Sequence, residues 1–368
     1  MTLGNGSKAA FARSDLDLLV GLLRGEGYRV IGPKSDGAAI IYDDLDSAAD
    51  LPKGWTDTAE AGQVRAEKTE AETLFGYSLG VQGWKRFLYP PKQKLFSAER
   101  AGTGFRLVDQ GGLETPMAFL GVRGCELAAI RVQDTVFSAN GFAEPGYQGR
   151  RRDALIIAVE CARAVSTCFC ASAGSGPAVG SGYDILLNEL DEGFIAEAGT
   201  PRGEALLAKL PLRPASTEEV ELAEAQPLAA AAQQSRTMAA DAKDILARNL
   251  NNPHWSAVAE RCLTCGNCTM VCPTCFCTTV EDTTDLSGNH AERWRIWDSC
   301  FTIDYAHIAG GSLRNTGAAR YRQWITHKLS TWHGQFGHSG CIGCGRCIAW
   351  CPVGIDITEE VRAISESE

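Results

Sequence analysis

Two short runs in the C-terminal third of the chain hold ten of its 15 cysteines. In both runs the pattern Cys-x2-Cys-x2-Cys-x3-Cys is followed directly by proline. The cysteines with this spacing are Cys262, Cys265, Cys268 and Cys272 in the first run, and Cys341, Cys344, Cys347 and Cys351 in the second. Two residues between thiolates let a tight loop wrap one iron–sulfur cube, and Gly266, Gly343 and Gly345 can supply the backbone angles that such a loop requires. The spacing therefore predicts two [4Fe-4S] clusters.

The fourth cysteine of each run is expected to face away from its own loop. In two-cluster ferredoxins this cysteine completes the other cluster, so crossed ligand sets are predicted. The first set is Cys262, Cys265, Cys268 and Cys351, and the second set is Cys341, Cys344, Cys347 and Cys272. Zinc ribbons and buried free thiols are the alternatives. Zinc ribbons usually pair two Cys-x2-Cys knuckles, whereas each run here has three evenly spaced cysteines and a fourth before proline.

A looser group of cysteines precedes the two runs and could form a third iron–sulfur site. Its members are Cys125, Cys161, Cys168 and Cys170. A mixed site that joins the Thr-Cys-Phe-Cys segments at 167–170 and 274–277 is an alternative. Buried thiols without metal are another, because free cysteine packs readily as a small apolar side chain.

Three cysteines near the first run have no place in these sets. Cys275, Cys277 and Cys300 are expected to pack beside a cluster and to tune it without binding iron. The catalytic alternative is a redox thiol site, with Cys275 and Cys277 reducing a disulfide or polysulfide.

The two main sets point to electron transfer rather than catalysis. Residues 263–280 contain no charged side chain, which predicts a dry shell around a cluster, and four protein ligands leave no iron open to a substrate. The chain has no P-loop and no evident pairing of a nucleophile with a base, so no catalytic residue is predicted. The histidines between the runs have no ligand spacing, and structural or interface roles are expected for His290, His307, His327 and His333. The arginines of the same stretch could form a docking face for an acidic partner or be solvated or paired with local acids; they are Arg293, Arg295, Arg314, Arg320 and Arg322.

The cysteines need a scaffold, and the pattern of elements predicts an α+β fold. An N-terminal α/β domain is expected over residues 1–210, an Ala/Glu/Gln-rich helical connector over 211–250, and a mostly helical domain enclosing the two-cluster ferredoxin module over 251–368.

The predicted elements of the N-terminal domain place two cysteines at strand ends. The elements are a helix over 14–25 capped by Ser14, strands over 28–31, 39–42, 118–122 and 155–159, and a helix starting over 126–132. Ligands gather at the carboxyl ends of such strands, where Cys125 and Cys161 lie. In the last domain, Asp356 and Glu359 resemble a capping box that opens a C-terminal helix.

Composition limits the classes of function. The 368 residues are 45% apolar, which is typical of a globular protein. Their net charge of −10 disfavours an iron–sulfur module of a nucleic-acid enzyme. No apolar run is long enough to span a membrane, and the first 19 residues have no apolar signal core. We therefore expect a cytoplasmic protein, in which thiols stay reduced and available to metal.

Several segments are similar to those of one family. They are RCLTCGNCTMVCPTCFC, DSCFT, RYRQW, HKLS and GCIGCGRCIAWCPVGIDI within 261–357, GVRGCELAAI at 121–130 and RRDALIIAVECARAVSTCFC at 151–170. In these segments the chain resembles the beta subunits of soluble sulfhydrogenases, which are NAD(P)-linked nickel–iron hydrogenases. It also resembles the electron-relaying subunit of anaerobic sulfite reductase. The resemblance covers most of the chain.

The resemblance implies a subunit without a catalytic centre of its own. Such a subunit would relay electrons, one at a time, between a flavin subunit that exchanges them with NAD(P)H and the small and large subunits of a nickel–iron hydrogenase. In the sulfite reductase alternative, the catalytic partner would carry sirohaem.

Overall fold

The computed structural model describes residues 8–108, 115–139, 141 and 143–368. Residues 1–7, which are part of the stretch inspected for a signal core, lie outside the described residues. The strands are β1 (Ala9–Ala12), β2 (Arg29–Ser35), β3 (Ile40–Asp44), β4 (Trp55–Glu60), β5 (Gln63–Lys68), β6 (Lys92–Ala101), β7 (Gly104–Val108), β8 (Met117–Val122), β9 (Leu155–Val159), β10 (Ile185–Leu190), β11 (Gly193–Ala198), β12 (Arg213–Pro214), β13 (Thr278–Thr284), β14 (His290–Trp297), β15 (His307–Ile308) and β16 (Gly311–Ser312).

The helices are mostly short. They are α1 (Leu16–Gly25), α2 (Lys85–Leu88), α3 (Gly124–Ser138), α4 (Pro145–Asp153), α5 (Pro201–Leu207), α6 (Thr217–Ala232), α7 (Ala242–Arg248), α8 (His254–Arg261), α9 (Asn267–Met270), α10 (Gly317–Thr326), α11 (Trp332–Phe336), α12 (Arg346–Ala349) and α13 (Ile357–Glu366). A π-helical turn, His327–Thr331, joins α10 to α11. Among the described residues, no helix is long and apolar enough to cross a membrane.

Eight strands form one mixed sheet in the order β12-β1-β11-β10-β9-β8-β2-β3. Its centre, β10-β9-β8-β2, is parallel, and antiparallel neighbours flank it. Alternate residues enter two different cores, with Leu120 and Ile157 on one face and Phe119 and Ile156 on the other. Strands buried on both faces are almost entirely apolar, which is why β9 has the predicted bounds and β8 begins only one residue early.

The start of the first helix differs from the prediction. Ser14 does not cap it, because Arg13–Asp15 forms a tighter 3-10 turn and α1 begins only at Leu16. From there the helix packs Leu16, Leu19 and Leu23 into the core as its spacing predicts; Val20, which the prediction does not assign to that face, is buried as well, and Leu18, which it does, is 50% exposed.

The connector packs against the sheet. A capping box between Ser216 and Glu219 starts α6, and the buried face of the helix includes Ala223 and Ala230. The Asn188 side chain on β10 donates a hydrogen bond of 2.9 Å to the Ala223 carbonyl. The helix is therefore held in place along its length.

A second sheet adds strands to the C-terminal domain, which is expected to be mostly helical. Its four strands follow the order β13-β14-β6-β7, so a hairpin from the C-terminal part pairs with a hairpin from the N-terminal part. Strand β14 pairs with β6 over His290–Ile296 and with the whole of β13. The Asp285 carboxylate holds the hairpin turn by accepting from the backbone N–H groups of Asn289 and His290, at 3.0 and 3.3 Å. Hydrogen bonding thus joins the two parts of the chain.

Helices pack around a third core that contains most of the paired-run cysteines. Helices α7, α8, α10 and α13 contribute Ile245, Trp255, Tyr321, Trp324 and Val361 to it. The predicted cap of α13 is right in part. The Asp356 carboxylate accepts from the Thr358 N–H, the second residue of the helix, so no capping box forms with Glu359.

Candidate metal centre

The first cysteine run forms a loop that lies close to the surface. Gly266, at φ 74°, ends the loop and starts α9, and Thr264 also has a positive φ of 50°. The Thr264 N–H points at the Cys262 sulfur, 3.4 Å away. Cys265 is exposed, and the neighbouring Leu263 side chain is 61% exposed. The loop therefore places thiols at the edge of the molecule.

The second run forms the same kind of loop in a more buried place. Gly343 and Gly345 have φ values of 62° and 73°, and the Gly343 N–H points at the Cys341 sulfur at 3.4 Å. A Cβ atom on Gly343 would lie 2.6 Å from the Phe169 carbonyl oxygen. Glycine is needed at this position both for the backbone angle and for the close approach of another loop.

The structure brings each fourth cysteine to the opposite run. Cys351 lines one cavity with the first three cysteines of the first run. Burial is the main cause that raises the pKa of Cys262 and of Cys268, and the nearby Cys351 thiol raises both further. The Cys272 thiol likewise raises the pKa of Cys341, Cys344 and Cys347 in the second run. Burial is the main cause there, and the pKa of Cys341 is raised to about 12. Cys351 therefore lies beside the first run and Cys272 beside the second, and the crossed ligand sets stay a prediction. Cys347 also lines the first cavity, so the two sets adjoin.

These residues fit clusters better than a single ion. Each set offers four thiols, and backbone N–H groups point at sulfurs, as the Ile355 N–H does at Cys351 at 3.3 Å. No group of three or more His, Cys, Asp or Glu side chains in the described parts of the chain is arranged around one metal ion. In a cubane each thiolate binds a different iron, so its ligands need not converge on a point.

Two buried lysines beside the second set were not predicted. Lys328 Nζ, in the π-helical turn, lies 3.3 Å from the Cys272 sulfur and 2.9 Å from Thr274 Oγ1. Lys85 Nζ donates to the carbonyls of Cys272 and Cys275, both at 3.0 Å. Burial lowers the pKa of Lys85 to about 8, whereas nearby thiols raise the pKa of Lys328 despite its burial. Lys328 lies in the HKLS segment, but nothing in its pattern signals burial.

A buried network ties the second run to α3. Arg346, between two cysteines of the run, forms an ion pair with Glu126 at 2.5 Å, and both side chains are at most 2% exposed. The Glu126 carboxylate also accepts from the Tyr42 hydroxyl and from Trp84 Nε1, at about 3 Å. These residues carry no signal in the sequence, because a cysteine run reveals nothing about the distant elements it contacts.

The remaining thiols pair differently from the redox thiol site that the sequence suggests. The Cys272 thiol raises the pKa of Cys275. The Asp298 N–H donates to the Cys277 carbonyl at 2.8 Å, which brings Cys277 close to Cys300. The Cys300 thiol and the Tyr305 hydroxyl lower the pKa of Cys277 to about 6. Cys275 and Cys277 thus have different neighbours, and the mixed site with 167–170 stays a prediction. Cys125 follows β8, Cys161 follows β9, and Cys168 and Cys170 lie in the loop after β9, with the thiols of Cys161 and Cys170 close enough to raise the pKa of Cys125 and Cys168.

The histidines and arginines between the runs have local partners. The His327 ring packs against Phe276 and Trp332, and His290 lies 3.3 Å from the Glu292 carboxylate. Four arginines bond to nearby groups: Arg293 to Asp282, Arg295 to Glu144, Arg320 to the Phe301 carbonyl and Arg322 to the Leu250 carbonyl. These contacts support the structural roles expected for them.

Comparison with known proteins agrees with this arrangement. A family model described as a 4Fe-4S dicluster domain matches residues 261–355. The chain is 32% identical over 298 residues to sulfhydrogenase 2 subunit beta of Pyrococcus furiosus, an overlap that covers 79% of this chain and 86% of the relative. The chain belongs to the sulfhydrogenase beta-subunit family. The expected iron–sulfur and oxidoreductase character of this family member is thereby confirmed. No solved structure matches the chain.

Proposed function

We propose that this sulfhydrogenase beta-subunit homologue relays electrons between a flavin subunit that uses NAD(P)H and a nickel–iron hydrogenase catalytic subunit. When bound, [4Fe-4S] clusters would carry the electrons singly. The chain itself would hold them with two sets of four thiols and would supply no catalytic residue. The family membership and the dicluster match support this proposal.

The crossed thiol sets carry the proposal. Cys351 lies beside the first run and Cys272 beside the second, which supports two sets of four thiols within this chain. A complete set leaves no position for a substrate, and adjoining sets suit transfer from one to the other.

Exposure of the two loops suggests where electrons enter or leave. The first loop presents Cys265 at the surface, and exposed apolar side chains surround it, including Leu263 and Val353. The second loop is buried beneath α3 and residues 167–170. In the proposal, a partner subunit docks on the first loop, because an apolar patch excludes water from the contact.

Anaerobic purification of the chain from its native source with its partners tests the proposal. We expect a nickel–iron subunit and a flavin subunit to co-purify, and the isolated chain to accept electrons without oxidising hydrogen. A co-purifying sirohaem protein would instead establish the sulfite reductase assembly. A chain with fewer than about six irons after reconstitution would refute the relay altogether.

A second candidate function is favoured by the contact between Cys277 and Cys300. These two partly exposed thiols could reduce a small disulfide by exchange, forming the Cys277–Cys300 disulfide and releasing two thiols. With glutathione disulfide as the probe, one equivalent should react per chain. Cys277→Ser and Cys300→Ser should abolish the exchange, and Cys275→Ser should retain it. Equal reaction of all three variants would exclude the site.

A further inference from the structure

We propose that Cys125, Cys161, Cys168 and Cys170 hold a third [4Fe-4S] cluster. The inference rests on the proposed relay function and deepens it, because it adds another one-electron carrier beside the second set.

The fold brings these cysteines together from three elements. Strands β8 and β9 are parallel neighbours, so their carboxyl ends lie at one edge of the sheet. Cys125 follows β8 in the first turn of α3, and Cys161 follows β9 by two residues. The loop after β9 then brings back Cys168 and Cys170. Cys125, Cys168 and Cys170 are buried, at 3%, 7% and 4% exposure.

The four cysteines lie close to one another. Cys125 and Cys170 pack in one buried group. The thiols of Cys161 and Cys170 help to raise the pKa of Cys125 and of Cys168, which burial raises most, and Cys170 has the same effect on Cys161. A Cβ atom on Gly176 would lie 3.2 Å from the Cys125 nitrogen and 3.3 Å from the Cys170 sulfur. The absence of a side chain at Gly176 therefore leaves room between two of the thiols.

The surroundings are suited to several thiolates at once. Cys125 lies at the N-terminus of a 15-residue helix, where the helix dipole favours negative charge. Gln234 Nε2, just beyond α6, donates to the Cys170 sulfur at 3.2 Å. The helix N-terminus and the Gln234 amide would each stabilise a thiolate, whereas a buried uncharged thiol needs neither.

A buried arginine lies beside the candidate site. Arg123 is 1% exposed, and its terminal nitrogens donate to the carbonyls of Glu160, Phe75 and Tyr77, at 2.6, 2.7 and 2.9 Å. Its Nε atom has no hydrogen-bond partner among the described residues. Arg123 precedes Cys125 by two residues and bonds to the residue before Cys161, so it places a positive charge beside the candidate site. That charge would offset part of the negative charge of a cluster with four thiolates.

The candidate site adjoins the second ligand set. Cys125 and Cys170 pack in one group with Cys344. The Phe169 N–H donates to the Gly343 carbonyl at 2.9 Å, and Ser175 Oγ donates to the Ile342 carbonyl at 2.5 Å. A third cluster would thus be in direct contact with the loop that surrounds the second.

Iron analysis and spectroscopy of the full chain, prepared anaerobically, test this inference. We expect about 12 irons per chain and negligible zinc, and Cys168→Ser and Cys161→Ser should each lower the iron content to about eight. Electron paramagnetic resonance of the reduced variants should lose one cluster signal and keep the two signals of the ferredoxin sets. Cys300→Ser, which removes a partly buried thiol outside all three sets, should keep about 12 irons.

The outcomes separate this site from the relay itself. About eight irons in the unchanged chain, unaffected by Cys168→Ser or Cys161→Ser, would refute the third cluster and leave the relay intact. One zinc ion per chain that disappears in both variants would also refute it. Circular dichroism identifies a variant that has failed to fold. In that case Gly176→Leu, which fills the space between the thiols without removing a ligand, decides the question: loss of about four irons supports the site, and an unchanged count refutes it.

Discussion

Replacing Lys328 with methionine should make the second cluster harder to reduce. Lys328 is buried, and its ammonium lies 3.3 Å from the Cys272 sulfur. Each electron added to the cluster increases the negative charge that this cation stabilises. Methionine has a similar length and no charge, so the change removes the electrostatic term with little change in volume.

The size of the effect follows from the distance. Placing the unit charge about 6 Å from the cluster centre, with an effective dielectric constant of about 20, gives about 3 kcal/mol. A tenfold change in a one-electron equilibrium corresponds to about 1.4 kcal/mol or about 59 mV. The midpoint potential of the second cluster should therefore fall by about 120 mV.

Redox titration followed by electron paramagnetic resonance measures this shift. Lys328→Arg keeps the charge and should change the potential by less than about 40 mV. Lys209→Met removes an exposed lysine paired with Glu26 and should leave the potential unchanged. A Lys328→Met variant with intact clusters and a potential within about 20 mV of the unchanged chain would refute the assignment of Lys328 as the charge partner of this site.

Three further predictions concern the ligands, a buried ion pair and pH. Cys351→Ser should remove the cluster held mainly by the first run and lower the iron content by about four, as measured by iron analysis; loss of the other cluster instead would show that the sets are not crossed. Arg346→Met leaves the Glu126 carboxylate buried without its cation and should lower the free energy of unfolding by about 3–5 kcal/mol, measured by denaturant titration, and adding Glu126→Gln should restore part of it. Burial raises the pKa of Glu189 above 4.5, so the folded state binds this proton more tightly than the unfolded chain does. Its contribution to stability is then complete below pH 4.5 and is lost as pH rises through the folded-state pKa, and Glu189→Gln should reduce this slope in pH-dependent unfolding; an identical slope would contradict the assignment.

Sequence patterns predicted the parts of the fold that depend on local periodicity. The strand Leu155–Val159 was predicted with its observed bounds, because a run of apolar residues between polar ones determines where a buried strand begins and ends. The predicted end of a helix was less accurate where alternative local hydrogen bonds compete. Ser14 was placed as a helix cap and lies instead within a 3-10 turn.

The second sheet could not be predicted from one segment alone. Gly288 lies at a positive φ in the turn before β14, so the turn of the hairpin could have been predicted from the local sequence. Its pairing with Lys92–Ala101 had none, since strands far apart in sequence carry no record of their partners. The prediction of a mostly helical C-terminal part omitted this sheet for that reason.

The candidate site shows the same division. The thiols of the paired runs were predicted by spacing, because a cluster imposes its dimensions on a local loop. Lys328 and Lys85 were not, since lysine is rarely buried and only the tertiary structure brings these two side chains beside Cys272.

The pairing of β14 with β6 also limits how this polypeptide can be divided. A fragment beginning near residue 251 would retain all eight paired-run cysteines and yet leave β14 with an open edge, because its partner Lys92–Ala101 would be missing. Unpaired edges of this kind add strands from other molecules and promote aggregation. Shortened versions prepared as miniature electron carriers would therefore need that edge covered, for instance by grafting a β6–β7 hairpin onto the fragment.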